Sequence, residues 1–154
     1  VENRKVINAN RLNQGWEILL DNDETVNSKI LINAAGPWIN EIVNNVIKAN
    51  KNKSIRLVKG SHIIIKKLYD QEVAFTLQND DHRIVFVIPY KNDYSLIGTT
   101  EVDVNSPDNP KISNEEKIYL INTINNHFIK QISEEDILDT FSGIMPLIED
   151  FKDA

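Results

Sequence analysis

Between residues 56 and 100 the sequence leaves little freedom of fold. Arg56-Leu-Val58 leads through Lys59-Gly60-Ser61-His62 into Ile63-Ile-Ile65. Three further strand-like runs follow: Val73 to Leu77, Arg83 to Ile88 closed by Pro89, and Tyr94 to Ile97 closed by Gly98-Thr99-Thr100. The connections Asn79-Asp-Asp81 and Lys91-Asn-Asp93 are short and turn-like. A parallel pair needs a crossover of about a dozen residues or more, which these connections cannot supply. Successive short strands at hairpin spacing therefore predict an antiparallel sheet.

The flanking segments complete an α+β reading: a mostly antiparallel sheet with flanking helices, preceded by a β-meander. In the meander, Lys5 to Leu12 and Trp16 to Leu20 read as strands about a turn at Gln14-Gly15. Asp21-Asn-Asp-Glu24 is a second turn, because Asp and Asn tolerate tight backbone and bond to it. Lys29-Ile-Leu-Ile32 is expected to be a buried third strand. Asn33-Ala-Ala-Gly36 then makes a small-residue turn, and Pro37 suits the first turn of a helix. Ile39, Ile42, Val43, Val46 and Ile47 recur at helical spacing, so a helix is expected over about 37–50. Downstream, Ser113-Asn-Glu-Glu116 has capping-box spacing and opens a helix expected over about 114–131, with Ile118, Leu120, Ile121, Ile124 and Phe128 on one face. Ser133 to Asp136 opens a shorter turn. Asp139 to Leu147 reads as a strand running into a Gly turn at Gly143.

Charge and composition narrow the class. Of 154 residues, 23 are Asp or Glu and 17 Lys or Arg, a net charge of -6 that disfavours a nucleic-acid binder. From Lys48 to Lys67, however, every charged residue is basic: Lys48, Lys51, Lys53, Arg56, Lys59, Lys66 and Lys67. Such a run is either a solvated face or a positive surface that draws in an anionic substrate. The absence of Cys removes disulfides and thiolate metal sites. No apolar run approaches the ~20 residues that cross a bilayer. The chain opens Val1-Glu2-Asn3-Arg4-Lys5 without an initiating Met and ends soon after Leu147 with no closing element, as expected of an internal piece of a longer protein.

Few residues carry a chemical signal. His62 is the strongest single candidate: a Gly two residues earlier lets a ligand come close, and imidazole can take a proton from an alcohol. His82 lies in a polar turn beside Asp80 and Asp81, and His127 sits on the predicted helix; neither spacing resembles a metal site. The hydroxyls of Thr99 and Thr100, at a strand end, could bond a cofactor or substrate, or simply close a turn. No two glycines fall in a G-x-G-x-x-G spacing, and no Walker loop exists. The residues alone thus give an α+β domain with a candidate His and a turn that an anion or cofactor could approach.

Motifs go further. Ile32-Asn-Ala-Ala-Gly-Pro-Trp38 resembles the N-A-[AT]-G-P-W motif of FAD-dependent oxidoreductases of the D-amino-acid-oxidase type. Arg56-Leu-Val-Lys-Gly-Ser-His62, Arg83-Ile-Val-Phe-Val-Ile-Pro-Tyr90, Leu96-Ile-Gly-Thr-Thr-Glu101 and Phe141-Ser-Gly-Ile-Met-Pro-Leu147 resemble, in order and spacing, segments of the flavin-linked glycerol-3-phosphate dehydrogenase branch. The first motif marks only the superfamily; K-G-S-H together with I-G-T-T-[DE] narrows it.

The resemblance implies a division of labour. Residues 1–50 would be the C-terminal part of an FAD-binding segment, with Ala35, Gly36, Pro37 and Trp38 against the cofactor. Residues 51–154 would be the substrate (cap) domain and the start of the return to the FAD domain. His62 would be the catalytic base; Lys59, Thr99 and Thr100 would bind substrate; Gly143 would let the chain pass close to the flavin. The substrate implied is sn-glycerol 3-phosphate, oxidised to dihydroxyacetone phosphate with hydride transfer to FAD and electrons passed to quinone. A cytoplasmic location, peripheral on the inner face of the cytoplasmic membrane, goes with that activity. Without a glycine-rich loop for the pyrophosphate, this chain by itself is not expected to retain FAD or to be active. One departure stands out: the family carries Arg where this chain has Met145, which offers the substrate phosphate neither charge nor donor. An amine or amino-acid oxidase of the same superfamily and a non-catalytic binding module remain as alternatives.

Overall fold

The computed structural model describes residues 2–49 and 54–149, arranged as two compact units, one formed by Val1–Arg56 with Pro146–Ala154 and the other by Leu57–Met145. The predicted helix end at residue 50, and Lys51 and Lys53 of the basic run, lie outside the described residues.

The first unit is built on an antiparallel meander of β1 (Val6–Leu12), β2 (Gly15–Leu20) and β3 (Thr25–Ser28). Its third strand is not the one expected. Residues Thr25 to Ser28 pair with β2, from Leu19↔Thr25 to Trp16↔Ser28. By Ser28 the chain has nearly reached the start of β2, so Lys29 to Ile32 runs past the strand it would have paired with. That segment is irregular, and Ile32 is 81 % exposed rather than buried. The expected helix is also different in kind. It is a continuous helical run: a 3₁₀ turn at Gly36–Trp38 with Pro37 in its first positions, α1 (Ile39–Glu41), then a π-helical stretch at Ile42–Ile47. It stops at Lys48, which is left-handed. Val46, Ile42 and Ile47 pack on Ala9, Ile18 and Leu20 of the meander, so the predicted helical recurrence does face a core.

The second unit holds a six-stranded antiparallel sheet and one long helix. The sheet comprises β4 (Ser54–Lys66), β5 (Phe75–Gln78), β6 (Ile84–Tyr90), β7 (Tyr94–Gly98), β8 (Val102–Val104) and β9 (Ile137–Glu149). The spatial order is β5-β6-β7-β4-β8, with β9 also paired to β4. The α+β class and the antiparallel hairpins are as the sequence predicts, but β4 is one uninterrupted strand of 13 residues. His62 consequently sits inside this strand. Pro89 lies inside β6, where β5 has already ended at the Phe75↔Val87 pair and no ladder is broken on that side. Gly143 does not turn the chain: β9 runs straight through it.

The helix α2 (Asn114–His127) covers one face of this sheet. Its capping box is formed as predicted, the Ser113 side chain accepting from the Glu116 amide while the Glu116 carboxylate accepts from the Ser113 amide. The helix ends four residues before the predicted boundary. Phe128 leaves it in an extended conformation to stack near Tyr69, with ring centroids 5.9 Å apart, and to meet Phe75 edge-on at 5.5 Å. Its buried face is centred on Leu120 and Ile124; Ile118, expected on that face, is 54 % exposed.

Period-two alternation makes the sheet two-faced. Ile63, Ile65, Leu77, Val85, Val87 and Ile97 point toward the helix and form, with Leu120 and Ile124, a core that excludes water. Their strand neighbours point the other way. Truncating one of these fully buried side chains removes its transfer energy and leaves a cavity. Ile124→Ala is expected to destabilise the protein by about 2–5 kcal/mol in a urea melt, whereas Ile118→Ala should fall within about 0.5 kcal/mol of the parent.

Candidate functional site

In the second unit the candidate residues lie on β4 or on segments beside it. His62 lies opposite Gly98 in the β4–β7 ladder. It points to the face away from α2, and its ring stacks on Phe141 of β9 with centroids 4.7 Å apart and planes 8° from parallel. Gly98 leaves the space beneath the imidazole: a Cβ there would collide with the ring carbons and Nε2. The histidine is thus held in a slot between a strand with no side chain and a flat aromatic. Nδ1 is buried without a hydrogen-bond partner among the described residues. Burial lowers the imidazole pKa from its ordinary 6.5, so the ring is neutral, and able to accept a proton, at neutral pH.

Around it this face is apolar and open. Ile84, Phe86 and Ile88 of β6 are exposed, Phe86 by 42 %, and Phe141 and Met145 of β9 are exposed as well. Phe86 pairs with the far side of Gly98 in the β6–β7 register. A neutral imidazole in an open apolar sheet face suits proton abstraction from a neutral hydroxyl, with little water to compete once the face is covered.

The other candidates meet on the helix side. Lys59 and Ser61 alternate with His62 along β4 and point toward α2. There Glu116, 4 % exposed, gathers the Lys59 ammonium at 2.8 Å, the Ser61 hydroxyl at 2.9 Å, the Thr100 hydroxyl at 2.7 Å and the Ser113 amide at 2.7 Å. Lys59 also donates to the Lys111 carbonyl. Burial by itself raises the Glu116 pKa; the bonds from Lys59, Thr100, Ser113 and Ser61 outweigh it, and the carboxyl is held below its ordinary 4.5. Thr100, 1 % exposed, and Lys59 are therefore committed to an interior carboxylate. Thr99 is half-buried, its hydroxyl donating to the Thr100 carbonyl. Lys67 is paired with Glu72. The basic run thus divides between an internal pair, a surface pair and exposed cations such as Lys66. Glu116 was legible in the sequence only as a helix cap; nothing in its spacing pointed to β4 or to Thr100.

In the first unit the Asn33 to Trp38 turn is open. Gly36 has φ +53°, and a Cβ there would meet no atom within 4 Å. The Asn33 side chain accepts from the Ala35 amide, and Ala34, Ala35, Leu31, Ile32, Val6, Ile42 and Val46 line a shallow apolar pocket. Gly143, in the second unit, has equally free space on its Cβ side. Small residues, open approach and an apolar wall fit one side of a flat aromatic cofactor. The described residues contain no gathering of side chains suited to a metal ion, and no helix long and apolar enough to cross a membrane.

The family model for FAD dependent oxidoreductases matches residues 1–153. The chain belongs to the FAD dependent oxidoreductase family. Over 97 % of its length it is 39 % identical to a glycerol-3-phosphate dehydrogenase of Pseudomonas aeruginosa, and over 96 % it is 37 % identical to a D-erythritol 1-phosphate dehydrogenase of Brucella abortus. It spans 30 % of each of these relatives. The fold matches that of a glycerol-3-phosphate dehydrogenase from Bacillus halodurans complexed with FAD, with a TM-score of 0.81 at 23 % identity, covering 97 % of this chain and 32 % of that one.

The Glu116 cluster makes an acid-stability prediction. A carboxyl whose folded pKa lies below 4.5 contributes stability that is complete above 4.5 and is lost as pH falls through the folded value. Glu116→Gln should therefore be less stable than the parent at neutral pH by about 1–3 kcal/mol, with the gap closing as pH falls below 4.5. Urea melts at both pH values check this.

Proposed function

We propose that the intact protein is an FAD-dependent dehydrogenase of a polyol phosphate, with sn-glycerol 3-phosphate the first candidate substrate and dihydroxyacetone phosphate the product. Supporting the substrate class are the two relatives named for phosphorylated polyols. The observation that carries the chemistry is His62: a neutral imidazole, slotted between Phe141 and Gly98, on an open apolar sheet face.

FAD, when bound, supplies the acceptor for the C2 hydride and relays the electrons to a quinone. The chain's own residues do the rest. His62 takes the proton of the C2 hydroxyl, so that the developing alkoxide can release its hydride. Phe141 and Gly98 fix the plane of the ring. Ala35, Gly36, Pro37, Trp38 and Gly143 offer the cofactor side-chain-free or flat approach. Thr99 is a candidate contact to the substrate, whereas Lys59 and Thr100 act through Glu116. Residues 1–50 serve the FAD-binding domain and 51–154 the substrate domain. Membrane quinone as acceptor places the intact protein at the cytoplasmic membrane's inner face.

The reading is tested on full-length, FAD-loaded protein under anaerobic conditions. Glycerol 3-phosphate should bleach the flavin and yield dihydroxyacetone phosphate; D-erythritol 1-phosphate and glycine are the comparison substrates. Bleaching by glycine alone would replace the proposed activity with that of an amino-acid oxidase.

His62→Ala should reduce kcat by about 10²–10⁴-fold with a smaller change in KM, because a base acts mainly in the transition state. A neutral base with a lowered pKa keeps the parent's rate flat at neutral pH and lets it fall only below 6.5. An unchanged kcat in the variant would remove His62 from the chemistry.

Met145 frames the second test. It is exposed on β9, at the position where the resembling family carries Arg. Lys59 and Arg56 are the nearest cations preceding the K-G-S-H histidine in sequence, and the Lys59 ammonium is paired with Glu116. Met145→Arg should tighten binding of glycerol 3-phosphate by about 1.5–3 kcal/mol, the range of a charged hydrogen bond. Equal affinity in parent and variant would mean that another cation holds the phosphate.

A further inference from the structure

We infer that Glu116 is a positioning residue for the proposed oxidation: from the helix side of the sheet, it sets the strand geometry that places His62, Thr99 and Phe141 on the other side. The inference rests on the function proposed above for His62.

The starting point is an interruption in the sheet. β7 pairs with His62 to Lys66 of β4, and β8 pairs with Leu57 to Lys59. Between those ladders, Gly60 and Ser61 face Thr99 and Thr100. There a side chain stands in for regular pairing. The Ser61 amide donates to the Thr100 hydroxyl oxygen at 3.0 Å, and the Thr100 amide donates to the Ser61 carbonyl at 3.3 Å. A hydroxyl rotates and by itself defines no direction. What fixes it is the Glu116 carboxylate, which accepts its proton at 2.7 Å and so turns the oxygen's lone pairs toward the Ser61 amide.

The same Glu116 oxygen accepts from the Ser61 hydroxyl at 2.9 Å, and that hydroxyl lies 2.8 Å from the Ser142 hydroxyl of β9. One carboxylate therefore reaches three strand segments: β4 at Ser61, the end of β7 at Thr100, and β9 at Ser142. Each contact is one residue from a candidate on the opposite face. Ser61 precedes His62, Thr99 precedes Thr100, and Phe141 precedes Ser142. Alternation along a strand converts a displacement at one residue into a displacement of its neighbour on the other side. His62 and Phe141 stack with ring centroids 4.7 Å apart and planes 8° from parallel, so a shift of either strand changes their overlap.

Lys59 completes the device. Its ammonium, 2.8 Å from the second carboxylate oxygen, keeps Glu116 ionised and so acceptor-only. Glutamine cannot replace it. Its carbonyl could still accept from Ser61 and Thr100, but its amide would place N–H groups against the Lys59 ammonium and the Ser113 amide, donor against donor.

The test uses full-length, FAD-loaded protein and measures the anaerobic rate of flavin bleaching by glycerol 3-phosphate, per bound flavin. Glu116→Gln should slow bleaching about tenfold or more. The control is Ile124→Ala, a core truncation outside the network, which lowers the melting temperature but should keep the parent rate per flavin. A parent-like rate in Glu116→Gln overturns the inference, as does an equal slowing by Ile124→Ala, since either makes Glu116 only a stabilising residue. If Glu116→Gln does not assemble with FAD, Ser142→Ala, which cuts only the last link, decides by the same comparison. If glycerol 3-phosphate does not bleach the parent, the proposed function fails separately. Diethyl pyrocarbonate labelling then decides, His62 being expected to label faster in Glu116→Gln while His127 labels at the parent rate; an unchanged His62 rate overturns the inference.

Discussion

A single buried carboxylate organises the second unit. An isolated charge cannot be taken out of water without a penalty of several kcal/mol, so the Glu116 environment has to answer both of its oxygens. One oxygen takes the hydroxyls of Ser61 and Thr100, the other the Lys59 ammonium and the Ser113 amide. Four donors from a strand, a strand end and a helix cap converge on one residue. Losing any of them leaves a charge short of partners, which is why the sheet, the helix start and the segment after β7 have to keep their relative places.

The same carboxylate lies on one face of a two-faced sheet. On the helix side, Ile63, Ile65, Val85, Val87 and Ile97 meet Leu120 and Ile124, and the polar network is tucked against the same layer. On the other side, His62 lies beside the exposed side chains of Ile84, Phe86, Ile88 and Phe141. The candidate histidine and the hydrophobic core occupy opposite faces of the same strands. The His62 face can be apolar and open because the burial that holds the unit together is obtained on the helix side.

The chain belongs to the FAD dependent oxidoreductase family and spans less than a third of the curated relatives it matches. The cation question is sharper. Lys59 looked in sequence like a residue for an anionic substrate, yet its charge is cancelled by Glu116; Met145 brings none.

Much was written in the residues themselves. Hairpin-length connections at Asn79–Asp81 and Lys91–Asp93 dictate antiparallel neighbours, and Ser113 with Glu116 dictates a helix start, because turn closure and capping are local physics. The motif around His62 pointed to that histidine. The sequence could not say that Lys29–Ile32 would stay unpaired, because its apolar pattern suits a strand, whereas pairing depends on how much of β2 remains beside it. Nor could it say that α2 would release Phe128, since helical spacing continues while the competing aromatic contacts with Tyr69 and Phe75 lie 59 and 53 positions away in the chain. The network at Glu116 was hidden for the same reason. Its partners Ser61, Thr100 and Ser142 are separated by tens of residues, and hydrogen bonds between them exist only once the strands are side by side. Local geometry and the choice of His62 as candidate belong to the sequence; which charge is paired, and which face is open, was decided by long-range packing.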